Sequence, residues 1–326
     1  MMSSVSSANV NHRRLPSAAQ ALQLIVSAFF CASATVAAAT AKPNFVILFV
    51  DDLGFNEVRV PHAPYGYGGY DGQVSTPHVA ALAEEGMLFM NWYSGWHVCS
   101  PSRAALLTGR LPPRTGVPSV GGGVFAADAV GGLDPTNETS FATLLRSRGY
   151  AAACFGKWHV GQQARYLPTV GHGFDEYLGI PFSADMGTSY WWGEATTQPF
   201  QPTPLPLLNG TAIVQQPAGL HTLTQRYVDA ATDFISRQSA ATKPFVLYLP
   251  FNHVHNPQFC SQAWCNSSSA VSPAGAAVRN PDAAAHGAGI GASVQEMDAA
   301  VGQVMAALKA GGVDEQTLVF FTSGES

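Results

Sequence analysis

From residue 42 onward the chain alternates short, uninterrupted apolar runs with amphipathic stretches. NFVILFV (Asn44–Val50) is apolar after its first residue, as expected of a strand buried on both faces of a sheet. YAAACFG (Tyr150–Gly156), PFVLYLPF (Pro244–Phe251) and TLVFF (Thr317–Phe321) have the same character. Helical grammar fills much of the space between. TPHVAALAEEG offers Thr76 as N-cap, Pro77 at the first helical position and Gly86 as the stop, the residues that such positions favour. SFATLLRSRG repeats the arrangement with Ser140 and Gly149. LTQRYVDAATDFISRQ (Leu223–Gln238) predicts a helix, and Val294, Met297, Val301, Val304, Met305 and Leu308 keep the spacing of an amphipathic one. The passage from about Gly161 to Leu220 carries no such pattern and is expected to be loop-rich. This alternation predicts an α/β fold, a mostly parallel sheet sandwiched by helices on both faces. No internal repeat interrupts it.

The polar residues fall where they can act together. Asp51 and Asp52 follow the first run, Lys157 and His159 the second, Asn252, His253 and His255 the third, and Thr322, Ser323, Gly324 and Glu325 the last. In a parallel sheet these positions share the carboxyl edge, where open α/β sheets place their ligand crevice. Adjacent carboxylates at Asp51 and Asp52 suit a hard divalent cation; alternatively, one caps a loop and the other is solvated. Lys157 and His159, two apart in GKWHVG, can bind an oxyanion and move a proton. In NHVHNP, His253 and His255 also share a face, and only one of them is expected to line the site. Cys99 stands where SPSRAALLTG begins a helix ending at Gly109. There it is either a structural cysteine or a nucleophile whose pKa the helix N-terminus depresses, with Arg103 adding donors in the same turn.

Composition and charge narrow the field. The 326 residues are 47% hydrophobic and 11% charged, with a net charge of −5, which describes a folded chain with a large core. Without a basic stripe, nucleic acid is excluded as the main partner. Arg13 and Arg14, followed by the apolar Ala21–Ala39 run, predict a signal peptide over 1–40, cleaved between about Ala37 and Ala41. Residues 41–326 then form the catalytic domain, and no later segment offers the roughly 20 apolar residues of a stable membrane span. Cys31 leaves with the signal. Cys260 and Cys265, close together in a polar loop, are expected to form a disulfide, and Cys154 to be a small buried hydrophobe. Sequons at Asn137, Asn209 and Asn266 fit a secretory route and glycosylation.

Together these residues resemble the sulfatase family of the alkaline-phosphatase-like superfamily, most nearly its arylsulfatase A branch. CSPSRAALLTGR matches the family signature Cys-x-Pro-Ser-Arg with its Leu-Thr-Gly-Arg tail, and NFVILFVDDLG, GKWHVG, GIPFSADMG and HVHNPQF follow in order. The resemblance implies hydrolysis of sulfate monoesters, with Cys99 oxidised by a formylglycine-generating enzyme to formylglycine, whose hydrate attacks sulfur. It implies Asp51, Asp52 and the modified Cys99 as ligands of calcium or magnesium, and Arg103 as the residue holding the formylglycine. Lys157 and Ser183 would bind sulfate, His159 would assist elimination, and His255 would bind substrate and protonate the leaving group. The substrate would be a sulfated small molecule, glycolipid or glycan. The family's last metal motif is expected after TLVFFTS, but Gly324 stands where an aspartate belongs and Glu325, a weak substitute ligand, where an asparagine belongs. That break predicts a chain truncated before the family's small C-terminal domain. The alternatives are an inactive secreted sulfatase-like fragment, a gene model that departs from the true frame after Ser323, or a phosphomonoesterase on the same scaffold.

Overall fold

The computed structural model describes residues 42–55, 57–60, 74–117, 123–191, 194–196, 203–265 and 289–324. The expected signal peptide (1–40), Asn266 and Glu325 lie outside them. Twelve elements carry the architecture: β1 (Asn44–Asp51), α1 (Pro77–Glu85), α2 (Cys99–Thr108), α3 (Phe141–Ser147), β2 (Ala151–Phe155), β3 (Glu176–Gly179), β4 (Leu207–Asn209), β5 (Ala212–Gln215), α4 (Leu220–Ala240), β6 (Phe245–Val254), α5 (Ile290–Ala310) and β7 (Thr317–Ser323).

The seven strands form one sheet in the order β5-β4-β3-β2-β6-β1-β7. The five strands from β3 to β7 run parallel, while β4 and β5 add an antiparallel edge. The expected α/β sandwich is therefore present, but the Gly161–Leu220 passage is not simply loop. It supplies β3, β4 and β5, strands of only three or four residues, too short to leave a readable periodicity.

Strand alternation divides the core into two layers. Val46, Leu48 and Val50 of β1 and Phe245, Leu247 and Leu249 of β6 face α4, α5 and α1. Phe49, Val246 and Tyr248 face α2 and α3, meeting Ala104, Leu107 and Ala142. Burying a Leu, Val or Phe side chain contributes about 1.5–3 kcal/mol, so doubly buried strands hold the sheet from both sides. Local signals agree with this packing. Ser140 Oγ accepts from Thr143 N at 3.1 Å as the cap of α3, and Gly109, at φ 67°, closes α2 in the left-handed conformation.

Buried histidine makes the fold sensitive to acid. The His172 ring lies 5.2 Å from that of Trp158, and burial holds its pKa down at about 4. Between that value and the ordinary ~6.5, the unfolded chain binds a proton that the folded chain refuses, so stability falls as the pH drops through this window, by about 3 kcal/mol in full. Replacing His172→Leu removes this share. Urea midpoints of the variant and parent, compared from pH 7 to pH 4, should shift progressively in the variant's favour; a constant difference would contradict the assignment.

Candidate active site

Three elements deliver charge to one buried point. β1 ends on Asp51, which is fully buried. α2 begins at Cys99 and buries its first six residues, Arg103 with no exposure at all. β2 runs into Gly156, whose φ of 142° and contact with the Pro250 backbone leave no room for a Cβ. That turn carries Lys157 inward, its N–H donating to Pro250 O at 2.8 Å.

Asp51 is the hub. Arg103 Nη2 donates to its Oδ1 at 2.7 Å and Lys157 Nζ to its Oδ2 at 2.5 Å, with all three side chains essentially unexposed. Arg103 Nη1 also donates to Lys157 O at 2.6 Å, and the guanidinium stacks over the Phe49 ring, 4.9 Å from its centroid. The Lys157 ammonium reaches Ser183 Oγ at 3.0 Å and Cys99 Sγ at 3.4 Å. Two side-chain cations thus neutralise Asp51, and Asp52 turns away at φ 56° with its carboxylate about half exposed.

The two histidines of HVHNP do not share a face. His253, still in β6, points toward α4 and α5, where its Nε2 lies 3.0 Å from Thr224 Oγ1 and 3.4 Å from Glu296 Oε2. His255 lies beyond the strand end, where alternation no longer applies, and reaches the carboxyl edge with Nε2 3.4 Å from Asp52 Oδ2. Donor atoms of Asp51, Cys99 and His255 all lie within 4.8 Å of one another. That set suits a divalent cation, with Asp52 at the rim, although such an ion would share Asp51 with Arg103 and Lys157.

His159 is buried at φ 58° and its Nε2 lies 3.0 Å from Phe125 O. A carbonyl only accepts, so Nε2 carries the proton and Nδ1 presents a lone pair. Burial, then the Lys157 and Arg103 charges, hold the His159 pKa well below its ordinary value, so the ring stays a neutral base. Sequence reasoning missed the segment that positions it. Phe125 N donates to Ser100 Oγ at 3.0 Å, and Gln162 Nε2 donates to the carbonyls of Ala126, Ala127 and Ala129. Backbone partners of this kind leave no side-chain signature.

At the far side, Leu53 N donates to Ser323 Oγ at 3.2 Å, Gly324 N to Val50 O at 2.9 Å, and Ser102 Oγ to Gly324 O. A Cβ at 324 would run into the Phe49 ring, so this backbone accommodates glycine where the resemblance calls for an aspartate. An apolar cleft of about 670 Å³ lies off the charged cluster, lined by residues of β7 and of the Met87–Trp92 segment among others. Among the other expected residues, Cys260 and Cys265 form a disulfide, Cys154 is a buried free cysteine, and Asn137 and Asn209 are exposed.

Comparison with known proteins places these observations in context. Residues 43–325 match the family model described as Sulfatase. The chain is 36% identical over 298 residues to Homo sapiens arylsulfatase G, covering 86% of this chain and 51% of the relative. It is also 36% identical to Bos taurus arylsulfatase A over 297 residues, covering 88% and 52% respectively. The chain thus spans about half the length of these curated relatives. Among solved structures, the PsFucS1 sulfatase from Pseudoalteromonas sp. superposes with a TM-score of 0.68 at 28% identity, covering 87% of this chain and 55% of that one.

The hub makes a direct prediction. Asp51→Asn leaves Arg103 and Lys157 buried without their counter-charge, which should cost about 3–5 kcal/mol of stability. Chemical denaturation of the variant measures this, and an unchanged midpoint would show that Asp51 does not hold the cluster.

Proposed function

The chain belongs to the sulfatase family, and from that premise we propose that its carboxyl-edge site hydrolyses sulfate monoesters, arylsulfatase-fashion, to an alcohol and sulfate. The observation that carries the reading is the Lys157 ammonium, which touches Asp51, Cys99 and Ser183 at once. A buried cation beside a helix N-terminus is a receptor for a tetrahedral oxyanion, and Cys99, in its CSPSR context, stands within reach of that anion.

In this reading Cys99 is converted to formylglycine, whose hydrate would supply the oxygen nucleophile. Lys157 and Ser183 bind the sulfuryl oxygens, and Arg103 holds the cluster by anchoring Asp51 and the Lys157 backbone. His159, neutral with its Nδ1 lone pair, takes the proton released when sulfate is eliminated. His255, at the outer rim beside Asp52, donates a proton to the departing alcohol oxygen. Water enters and the ester bond breaks, so the net products are alcohol and sulfate. Calcium or magnesium held by Asp51, Asp52 and residue 99, with His255 close by, would supply further neutralisation of the sulfuryl oxygens.

The route of such a protein is secretory, with an N-terminal signal, a formylglycine-generating enzyme as maturation partner and delivery outside the cell or to a lysosome-like compartment. The Cys260–Cys265 disulfide fits an oxidising compartment, and exposed Asn137 and Asn209 are open to glycosylation. No helix among the described residues is long and apolar enough to cross a membrane. Substrates within reach of this chemistry are sulfated small molecules, glycolipids and glycans.

The protein isolated from a secretory host should turn over 4-nitrophenyl sulfate in preference to 4-nitrophenyl phosphate. Cys99→Ala should reduce turnover to background, and Lys157→Ala should lower kcat/KM by about 10²–10³-fold. Mass analysis of the Cys99 peptide should find the thiol group replaced by an aldehyde. Faster turnover of the phosphate ester would assign the site to phosphomonoester hydrolysis instead.

A further inference from the structure

Asn252 is 3% exposed, and neither its Oδ1 nor its Nδ2 has a hydrogen-bond partner among the described residues. A carboxamide buried without partners is destabilising, so a native structure that keeps one has a partner for it to meet. Topology locates that partner. Phe251 and His253, on either side of it, both belong to the layer of α4 and α5, so Asn252 between them faces the opposite layer, as Val246 and Tyr248 do. That is the layer of α2, which carries Cys99 and Arg103.

β6 lies between β2 and β1 in the sheet. Arg103 bridges Asp51, at the end of β1, to the Lys157 carbonyl, just past the end of β2. The guanidinium therefore spans the end of β6, on the face that Asn252 shares. Lys157 is tied to the same strand two residues earlier, through Pro250 O. His159 Nδ1, under the electrostatic influence of Lys157, Arg103 and Asp51, is likewise buried without a partner among the described residues. Polar atoms with unmade hydrogen bonds thus gather at the point where the cations gather.

We propose that Asn252 is a further substrate-binding residue of this site, its Nδ2 donating to an oxygen of the sulfate group that Lys157 binds. The inference rests on the sulfate-binding reading of the cluster and deepens it. It assigns a neutral donor to the anion, beside the charged donor that Lys157 supplies. Asn252 keeps its amide at a cost in stability because the bound state uses it.

This trade-off separates a binding role from a structural one. Asn252→Leu has nearly the same shape and removes the unmatched amide, so its urea midpoint should equal or exceed the parent's. Its affinity for inorganic sulfate, measured by calorimetry on the full chain, should fall at least about tenfold, with kcat/KM for 4-nitrophenyl sulfate falling in step. Asn252→Asp, which sets a carboxylate against the anion, should weaken sulfate binding further. If the parent binds sulfate and both variants bind it equally well, the inference is overturned while the sulfate site stands; an internal water alone would then satisfy the amide. A parent chain that neither binds sulfate nor cleaves the ester overturns the sulfate reading, and this inference with it.

Discussion

Asp51 is a carboxylate with no exposure to solvent, and it survives there because Arg103 and Lys157 arrive to neutralise it. None of the three is tolerable alone in such a place, since an isolated buried charge carries a desolvation penalty of several kcal/mol. The consequence is geometric. β1, the first turn of α2 and the turn after β2 must meet at one point or the core cannot close. Everything else at the site is placed relative to that meeting: Cys99 one helical turn before Arg103, Ser183 against the Lys157 ammonium, and His159 two residues beyond Lys157.

The same cluster gives the site its chemical bias. Its net positive character comes from side chains locked by mutual hydrogen bonds, so an arriving oxyanion meets donors that need little rearrangement. His159 also stays neutral beside it, because burial disfavours the charged ring and a third positive charge next to Lys157 and Arg103 adds to the effect. A neutral imidazole and an ion-paired cation beside it thus come from one arrangement of buried charges.

The strand edge also separates two kinds of histidine. His253 is part of the scaffold: its ring packs against Phe259 at 4.4 Å between centroids and joins β6 to α4 and α5. Glu296 extends that joint to the following loop by accepting from Ser261 N at 3.0 Å. His255, two residues later, lies with Asp51 and Cys99. Residue type and spacing alone leave the pair open, and only the family resemblance singles out His255; what separates them physically is where β6 ends, at Val254.

Much of this protein is legible in its residues, because local rules dominate where elements are long. Apolar runs such as Asn44–Val50 can satisfy their side chains only between two helical layers, and Gly109 and Ser140 mark helix ends by their own stereochemistry. The convergence of Asp51, Arg103, Lys157 and Cys99 follows from parallel order, which puts strand ends on one edge. Tertiary structure alone decided the rest. The strands β3, β4 and β5 are too short to announce themselves and exist because their neighbours offer unpaired backbone. That side-chain cations neutralise Asp51, that Asp52 turns outward, and that the Phe125 carbonyl sets the His159 tautomer all depend on residues distant in sequence. Hydrogen bonds and charge pairs are specified by position in space, and no spacing rule along the chain encodes them.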